Sequence, residues 1–254
     1  MRLPKTSKLL KLDLEYNMAF HYSPKVPTEG VKLVLDSYNQ KSYPGSGNTW
    51  YDLSGNDNHG TLTNFTGAGS STTSGFNTTT KNMMFDKHVT SGYGSGNNYI
   101  SVSNSNSLDE VLCQNGMSIV MWLRMDTYDC TALTKWNGSW EIYYCANLVF
   151  RTQGTGGNDG NSGYSYTNEL NNFHSIIATH DGTTRKLFVN GVQRMSNSNS
   201  MSGQNTSNSI GIGGYHGGAY AFQGALSYYS LYNRALDVSE IDQTHNALKT
   251  RFGI

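Results

Sequence analysis

The stretch FHSIIATHDGTTRKLFVNGV, residues 173–192, limits the possible folds most narrowly. Two runs rich in β-branched and aromatic residues, 173–180 and 185–192, flank Asp181-Gly182, a hairpin turn signal. A hairpin alone is marginal in water, so the chain must supply further strands that share an apolar face. It does. Residues 117–125, MSIVMWLRM, are nearly all apolar and read as a central strand. Residues 98–103, NYISVS, alternate Tyr99, Ser101 and Ser103 against Ile100 and Val102, the pattern of a half-buried strand. Further strands are expected at 31–38, 83–86, 132–135, 140–146, 148–152, 209–213, 219–224 and 226–232. Gly/Ser/Asn-rich loops separate them, and the longest run over 66–82 and 153–171. One helix is expected, at 237–250. Asp237 is its N-cap and Glu240 completes a capping box. Val238, Ile241, His245, Leu248 and Phe252 fall on one helix face, and Gly253 ends it.

Composition agrees with many turns and short, half-wetted strands. Gly is 28 of 254 residues and Tyr is 17, while hydrophobic residues are 36%, below the roughly 45–50% of typical domains. The net charge is zero, so no basic field exists to attract nucleic acid or an anionic membrane. No run is long and apolar enough to insert into a membrane. Cys113, Cys130 and Cys145 are odd in number and form no CxxC pair. They read as ordinary thiols of a chain made in a reducing cytoplasm. Lys8, Lys11 and Asp13 interrupt the N-terminal apolar residues, so no signal peptide is expected. Residues 7–16 are a candidate helix, and Met18 is a second candidate start. Residues 1–30 are expected to form an arm and linker. Residues 31–254, including the helix, form the folded domain. The fold class is all-β: a two-sheet antiparallel jelly-roll sandwich with one C-terminal helix and an N-terminal arm.

Four segments in order carry a resemblance: TWYDLSGNDNHGTLTN, MSIVMWLRM, HSIIATHDGTTRKLFVNGVQ, and IGIGGYHGGAYAFQGALSYYSLYNRAL with the helix after it. They resemble a laminin-G-like domain of the concanavalin A-like lectin/glucanase superfamily, over residues 30–250. The opening PTEGVKLVLDSYNQKSYPGSGNTWYDLSGN and the ending HNALKTRFGI resemble versions of this domain in structural proteins of tailed bacteriophages. The resemblance implies two packed antiparallel sheets, with the concave sheet and its rim loops as the usual ligand surface.

The resemblance also implies calcium in many members. Asp52, Ser54, Asn56 and Asn58 place hard oxygens at every second residue, which makes Asp52, Asn56 and Asn58 the candidate Ca2+ ligands. An EF-hand loop would need Gly where Asp57 stands and Glu where Thr63 stands. The same residues also suit a tight turn, with Trp50 and Leu53 as core anchors. Relatives often carry an acid at the position of Ser227, and inserted residues separate Asp86 from Tyr99.

Laminarinase-type members place their catalytic acids at alternate positions of one strand. No such triplet occurs here: Asp109 and Glu110 are adjacent, and Glu141, Glu169 and Glu240 are isolated. His174 and His180 share a strand face without a third ligand and read as structural. The chain is therefore expected not to be an enzyme.

Sugar recognition needs an aromatic platform beside amides or acids. The candidates are Trp136, Asn137 and Trp140 in WNGSW, then Tyr215, His216 and Tyr220 in YHGGAY. The loop at 157–166 adds Asp159, Asn161, Tyr164 and Tyr166. The competing reading packs both tryptophans in the core and leaves the tyrosines, with Tyr228, Tyr229 and Tyr232, to a subunit interface. The expected function is that of a virion surface protein of a tailed phage, a capsid decoration or a fibre/adhesin subunit, assembled in the host cytoplasm. Its expected partners are other virion proteins, copies of itself and cell-surface glycans. The alternatives are a cellular carbohydrate-binding module and, last, a glycoside hydrolase.

Overall fold

The computed structural model describes residues 25–65, 74–86, 97–127, 131–135, 139–145, 147–154, 157–165, 170–201, 204, 207–214 and 221–254. Residues 131–134, 145, 153, 154 and 157–163 are placed by backbone register.

The strands in chain order begin with β1 (Val31–Asp36), β2 (Thr49–Trp50), β3 (Gly60–Thr63), β4 (Gly75–Asn77), β5 (Asn82–Phe85) and β6 (Tyr99–Val102). Next come β7 (Met117–Met125), β8 (Thr131–Lys135), β9 (Trp140–Cys145), β10 (Asn147–Gly154) and β11 (Gly157–Ser165). The last are β12 (Phe173–His180), β13 (Thr184–Val189), β14 (Val192–Ser198), β15 (Ile210–Ile212) and β16 (Gly224–Tyr232). One α-helix follows, α1 (Val238–Leu248).

These strands make two sheets. Sheet A runs β14-β13-β12-β7-β16-β5-β4, and β1 also pairs with β16. Sheet B runs β11-β10-β9-β8-β15-β6-β3-β2. The fold is thus an all-β antiparallel sandwich closed by a C-terminal helix. Strand β7 sits at the centre of sheet A and explains its own composition. Ile119, Met121 and Leu123 face the core between the sheets, while Val120 and Trp122 face a second apolar cluster under the helix. Both faces are covered, so both must be apolar.

Two turns set the β12–β13–β14 meander. Asp181 accepts hydrogen bonds from the amides of Thr183 and Thr184, and Gly182 adopts φ +95°. Asn190 and Gly191 both take positive φ, 52° and 77°, as a two-residue hairpin turn requires. The sequence reading ran one strand through this turn to residue 192. The structure ends it at Val189 and starts β14 at Val192.

Other expectations are corrected too. Most of the long loop expected at 153–171 is strand: β10 runs to Gly154 and β11 pairs along it. Within 66–82, β4 pairs with β5. The strands β2 and β3 were not anticipated. Residues 221–223 are not strand, and β16 begins at Gly224. Tyr228, Tyr229 and Tyr232 are buried within the chain and so cannot line a subunit interface. The candidate helix at 7–16 lies outside the described residues.

The helix carries the expected capping box between Asp237 and Glu240. Of the expected face, Ile241, His245, Leu248 and Phe252 meet the sheet, and only Val238 does not, its place being taken by Thr244. Ile241, Thr244 and Leu248 face the sheet, while Val238 is 58% exposed. His245 stacks on Trp122 with ring centroids 5.4 Å apart, and its Nδ1 lies 2.9 Å from Ser175 Oγ. Beyond the helix a short 3-10 turn brings Phe252 onto Trp122 at 4.6 Å, and Gly253 at φ +72° ends it.

Residues 25–30 lie along the same side. The Gln243 amide donates to the Lys25 carbonyl, the Tyr232 hydroxyl to that of Pro27, and Arg234 Nε to that of Glu29. Among the described residues no helix is long and apolar enough to cross a membrane.

Candidate functional site

Register alone builds a line of positions across sheet B. Thr49 pairs with Thr61, Thr61 with Ser101, Ser101 with Gly211, and Gly211 with Thr134. Thr134 pairs with Glu141, Glu141 with Arg151, and Arg151 with Asn161. The described neighbours along these strands point the other way. Trp50, Leu62, Ile100, Ile210, Ile212, Ile142 and Phe150 belong to the core between the sheets. The line therefore belongs to the outer face of sheet B, because successive strand residues alternate faces. Its occupants are small, hydroxylated or charged, with the amide Asn161 at its end. At about 4.8 Å per strand, eight strands give a track of about 34 Å.

The charged part of this line is the candidate site. Arg151 Nη1 lies 3.3 Å from Glu141 Oε1, and the guanidinium sits 4.9 Å from the ring centre of Tyr143. The side chains of Glu141 and Arg151 keep only 5% and 19% of their exposure. Taking two charges out of water is costly, and an apolar pair of similar volume is often no less stable. A part-buried ion pair on the outer face of a sheet is therefore weak evidence for a purely stabilising role. Chemically, the set offers a cation, an anion and an aromatic ring on two adjacent strands. That is a mixture suited to hydroxyls and to apolar ring faces.

The expected site residues are distributed differently. Trp140 is 2% exposed, and its indole N–H points to the Val111 carbonyl at 3.4 Å. It is a core residue, which corrects its expected role as a sugar platform. Tyr164 packs against the core beneath Arg194, whose guanidinium lies 5.2 Å from its ring centre. Asn161 lies in register with Arg151 and so belongs to the line, while Asp159 lies further along β11. Trp136, Asn137, Tyr166, Tyr215, His216 and Tyr220 lie outside the described residues. Glu141, Tyr143 and Arg151 were missed by the sequence reading. The signal was present in WEIYYC: Trp140, Ile142 and Tyr144 claim one face and leave Glu141 and Tyr143 on the other.

The expected calcium residues are committed elsewhere. Asp52 Oδ1 accepts from the amides of Val34 and Ser54, both at 2.8 Å. Its Oδ2 accepts from Ser54 Oγ at 2.7 Å and from the Asn58 amide at 3.0 Å. Asn56 donates to the Ser54 hydroxyl, and Asn58 donates to the Lys32 carbonyl and Ser107 Oγ while accepting from Ser105 Oγ. These residues brace a turn, the other reading of the same sequence. A cation would have to displace the donors. Trp50 is a core anchor as expected, but Leu53 is 37% exposed and is not. Among the described residues no three His, Cys, Asp or Glu side chains come together.

Four further buried titratable groups have partners within the fold. His174 Nδ1 meets the Asn190 amide at 2.9 Å. His180 accepts the Gly182 amide hydrogen on Nδ1 and meets Asn199 through Nε2, and burial lowers its pKa. Burial pushes the Cys113 thiol up to about 12, so it is neutral and unreactive. Lys135 is buried, its ammonium held by the Leu108 carbonyl and Asp109.

Comparison with known proteins agrees with this architecture. Residues 94–242, more than half of the chain, match the family model described as the concanavalin A-like lectin/glucanases superfamily. No curated protein matches in sequence. Among solved structures, the binding domain of Paraclostridial Mosquitocidal Protein 1 superposes with a TM-score of 0.58 at 18% identity, covering 87% of this chain and 52% of that one. The binding domain of Botulinum Neurotoxin DC in complex with SialylT gives 0.59 at 15% identity, covering 87% and 52%. The same neurotoxin binding domain in complex with rat synaptotagmin II gives 0.59 at 14%, again covering 87% and 52%. At these identities the likeness is one of fold. The chain spans about half the length of these binding domains.

Proposed function

We propose, from the premise that this chain belongs to the concanavalin A-like lectin/glucanases superfamily, that it is a non-enzymatic glycan-binding domain displayed on a tailed-phage particle. The Glu141–Arg151–Tyr143 cluster carries the binding half of this reading, because a buried ion pair on an outer sheet face gains little stability. The structural neighbours are themselves binding domains, one of them solved with SialylT, which supports recognition over catalysis. The residue across from Glu141 is a cation, which does not make the two-carboxylate arrangement of a glycosidase.

The particle half rests on the phage-like opening and closing segments and on a neutral surface rich in Ser, Asn and Gly. The partners are then other virion proteins, copies of this chain and a host glycan, and the location is a capsid decoration or a fibre subunit. Calcium has no place in this reading.

Two measurements test it. A glycan array probed with purified protein is expected to give binding that Arg151→Ala abolishes. Binding unchanged in that variant would remove the cluster from the site. Immunogold microscopy of particles from the source culture is expected to label heads or fibres. Unlabelled particles would overturn the virion assignment and favour a cellular carbohydrate-binding module.

A further inference from the structure

Lys135 ends β8 on the face least suited to a charge. Its register partners, Ile210 and Trp140, both belong to the core between the sheets, so its side chain points inward and keeps none of its exposure. Lysine is almost never fully buried unless it is paired. The Lys135 ammonium meets the Leu108 carbonyl at 2.8 Å and Asp109 Oδ1 at 3.3 Å. Burial lowers its pKa, against the opposing pull of Asp109. A lysine amine desolvated in this way is an activated nucleophile. The other described lysine ion pair is different: Lys32 and Glu110 keep 18% and 53% of their side-chain exposure, so water competes for both groups.

The carboxyl partner is also held in place. The Leu108 and Asp109 amides each donate to the Ser105 carbonyl at 3.0 Å, and the Val111 amide donates to the Leu108 carbonyl at 3.2 Å. Leu108 and Val111 are fully buried, and the Trp140 indole N–H points to the Val111 carbonyl at 3.4 Å. Amine and carboxyl are thus fixed against each other by the core. Such fixed pairs react with effective molarities that reach about 10⁵–10⁸ M.

We propose that Lys135 and Asp109 condense into an intramolecular amide, a covalent cross-link between β8 and the turn at 105–111. The step balances within the pair. One ammonium proton passes to Asp109 Oδ1, which leaves a neutral amine and a carboxylic acid. The Nζ lone pair forms the new bond to Cγ, and the bond from Cγ to the protonated oxygen breaks. The departing hydroxide takes a second proton from the nitrogen and leaves as water. Asp109 keeps 35% of its side-chain exposure, which gives that water a way out. The N–H that remains still has the Leu108 carbonyl as its acceptor. The product removes a buried ammonium, whose desolvation is costly, and closes a loop of the chain as a disulfide does. Neither residue belongs to the Glu141–Arg151–Tyr143 cluster, so the bond stands or falls apart from the glycan reading.

The test holds the purified full chain at neutral pH until its mass stops changing, then weighs it denatured and digests it with trypsin. The parent is expected to weigh one water less than its sequence. Residues 88–124 and 125–151 are expected in one linked peptide that escapes cleavage at Lys135. Asp109→Ala, at a partly exposed position, should keep a cooperative melting transition and its full sequence mass, with Lys135 cleaved and the peptides separate. A parent of full sequence mass with Lys135 cleaved would overturn the bond. So would a loss of water that persists in Asp109→Ala or maps to other residues.

Discussion

The outer faces of the two sheets handle the same problem in opposite ways. Sheet A turns a second apolar surface outward and covers it with its own chain. Trp122, Ile177, Phe188 and Tyr228 lie buried under the C-terminal helix, and His245 and Phe252 stack on Trp122. Sheet B carries a line of mostly small polar positions across its outer face, with Glu141 and Arg151 as its ion pair. The first arrangement gains stability from apolar burial. The second gives some of that gain up, because buried charges are costly even when paired. The contrast sets a face held by apolar burial against one on which the proposed binding site lies.

The comparison breaks most visibly at Trp122. Trp122→Ala empties the space beneath His245 and Phe252 and should cost about 3–5 kcal/mol, read as a lowered denaturation midpoint. A near-neutral effect would mean that the helix is not part of the core. Next comes the ion pair. Glu141→Ala alone removes the carboxylate facing the part-buried Arg151 and should cost about 1–3 kcal/mol. The double change Glu141→Leu with Arg151→Met should return to within about 1 kcal/mol of the parent while losing glycan binding. A double variant as unstable as the single one would make the pair structural and erase the contrast between the faces. Asp52→Ala should also cost about 1–3 kcal/mol, since it strands amide donors in a turn with neighbouring water. Addition of calcium should leave the melting temperature of the parent unchanged.

Much of this contrast could be read in the sequence, and its limits have physical causes. MSIVMWLRM announced a strand covered on both faces, and Asp237 with Glu240 announced the helix start. Both signals are local. The helix face was legible except at its first turn, where the sheet leaves Val238 exposed and covers Thr244 instead. Strands β2 and β3 were too short for a periodic signal, and β11, GNDGNSGYS, is composed of turn residues. Its strand form comes from pairing with β10 rather than from its own propensity. Glu141 looked isolated because its partner stands ten residues away across a hairpin. The WEIYYC alternation marked its face but not its neighbour.

The smallest expected effect concerns acid, and it separates the covered face from the rest. Burial lowers the pKa of His245 below the ordinary 6.5, and Lys249 pushes the same way against the opposing pull of Asp242. His180, between the sheets, is lowered chiefly by burial as well. For a histidine whose folded pKa is depressed, the unfolded chain takes up the proton first. Stability is therefore full above about 6.5 and falls as pH drops through the window below it. The melting temperature should decline on going from about pH 7.5 to about pH 5.5. His245→Gln, which can still reach Ser175, should flatten part of that decline and leave the part due to His180. Because His245 faces the Ser175 hydroxyl and the Trp122 ring rather than a carboxylate, nothing there rewards its protonation except Asp242 on its own helix. If the variant declines as steeply as the parent, the acid response belongs to the interior and the helix is held by its apolar face alone.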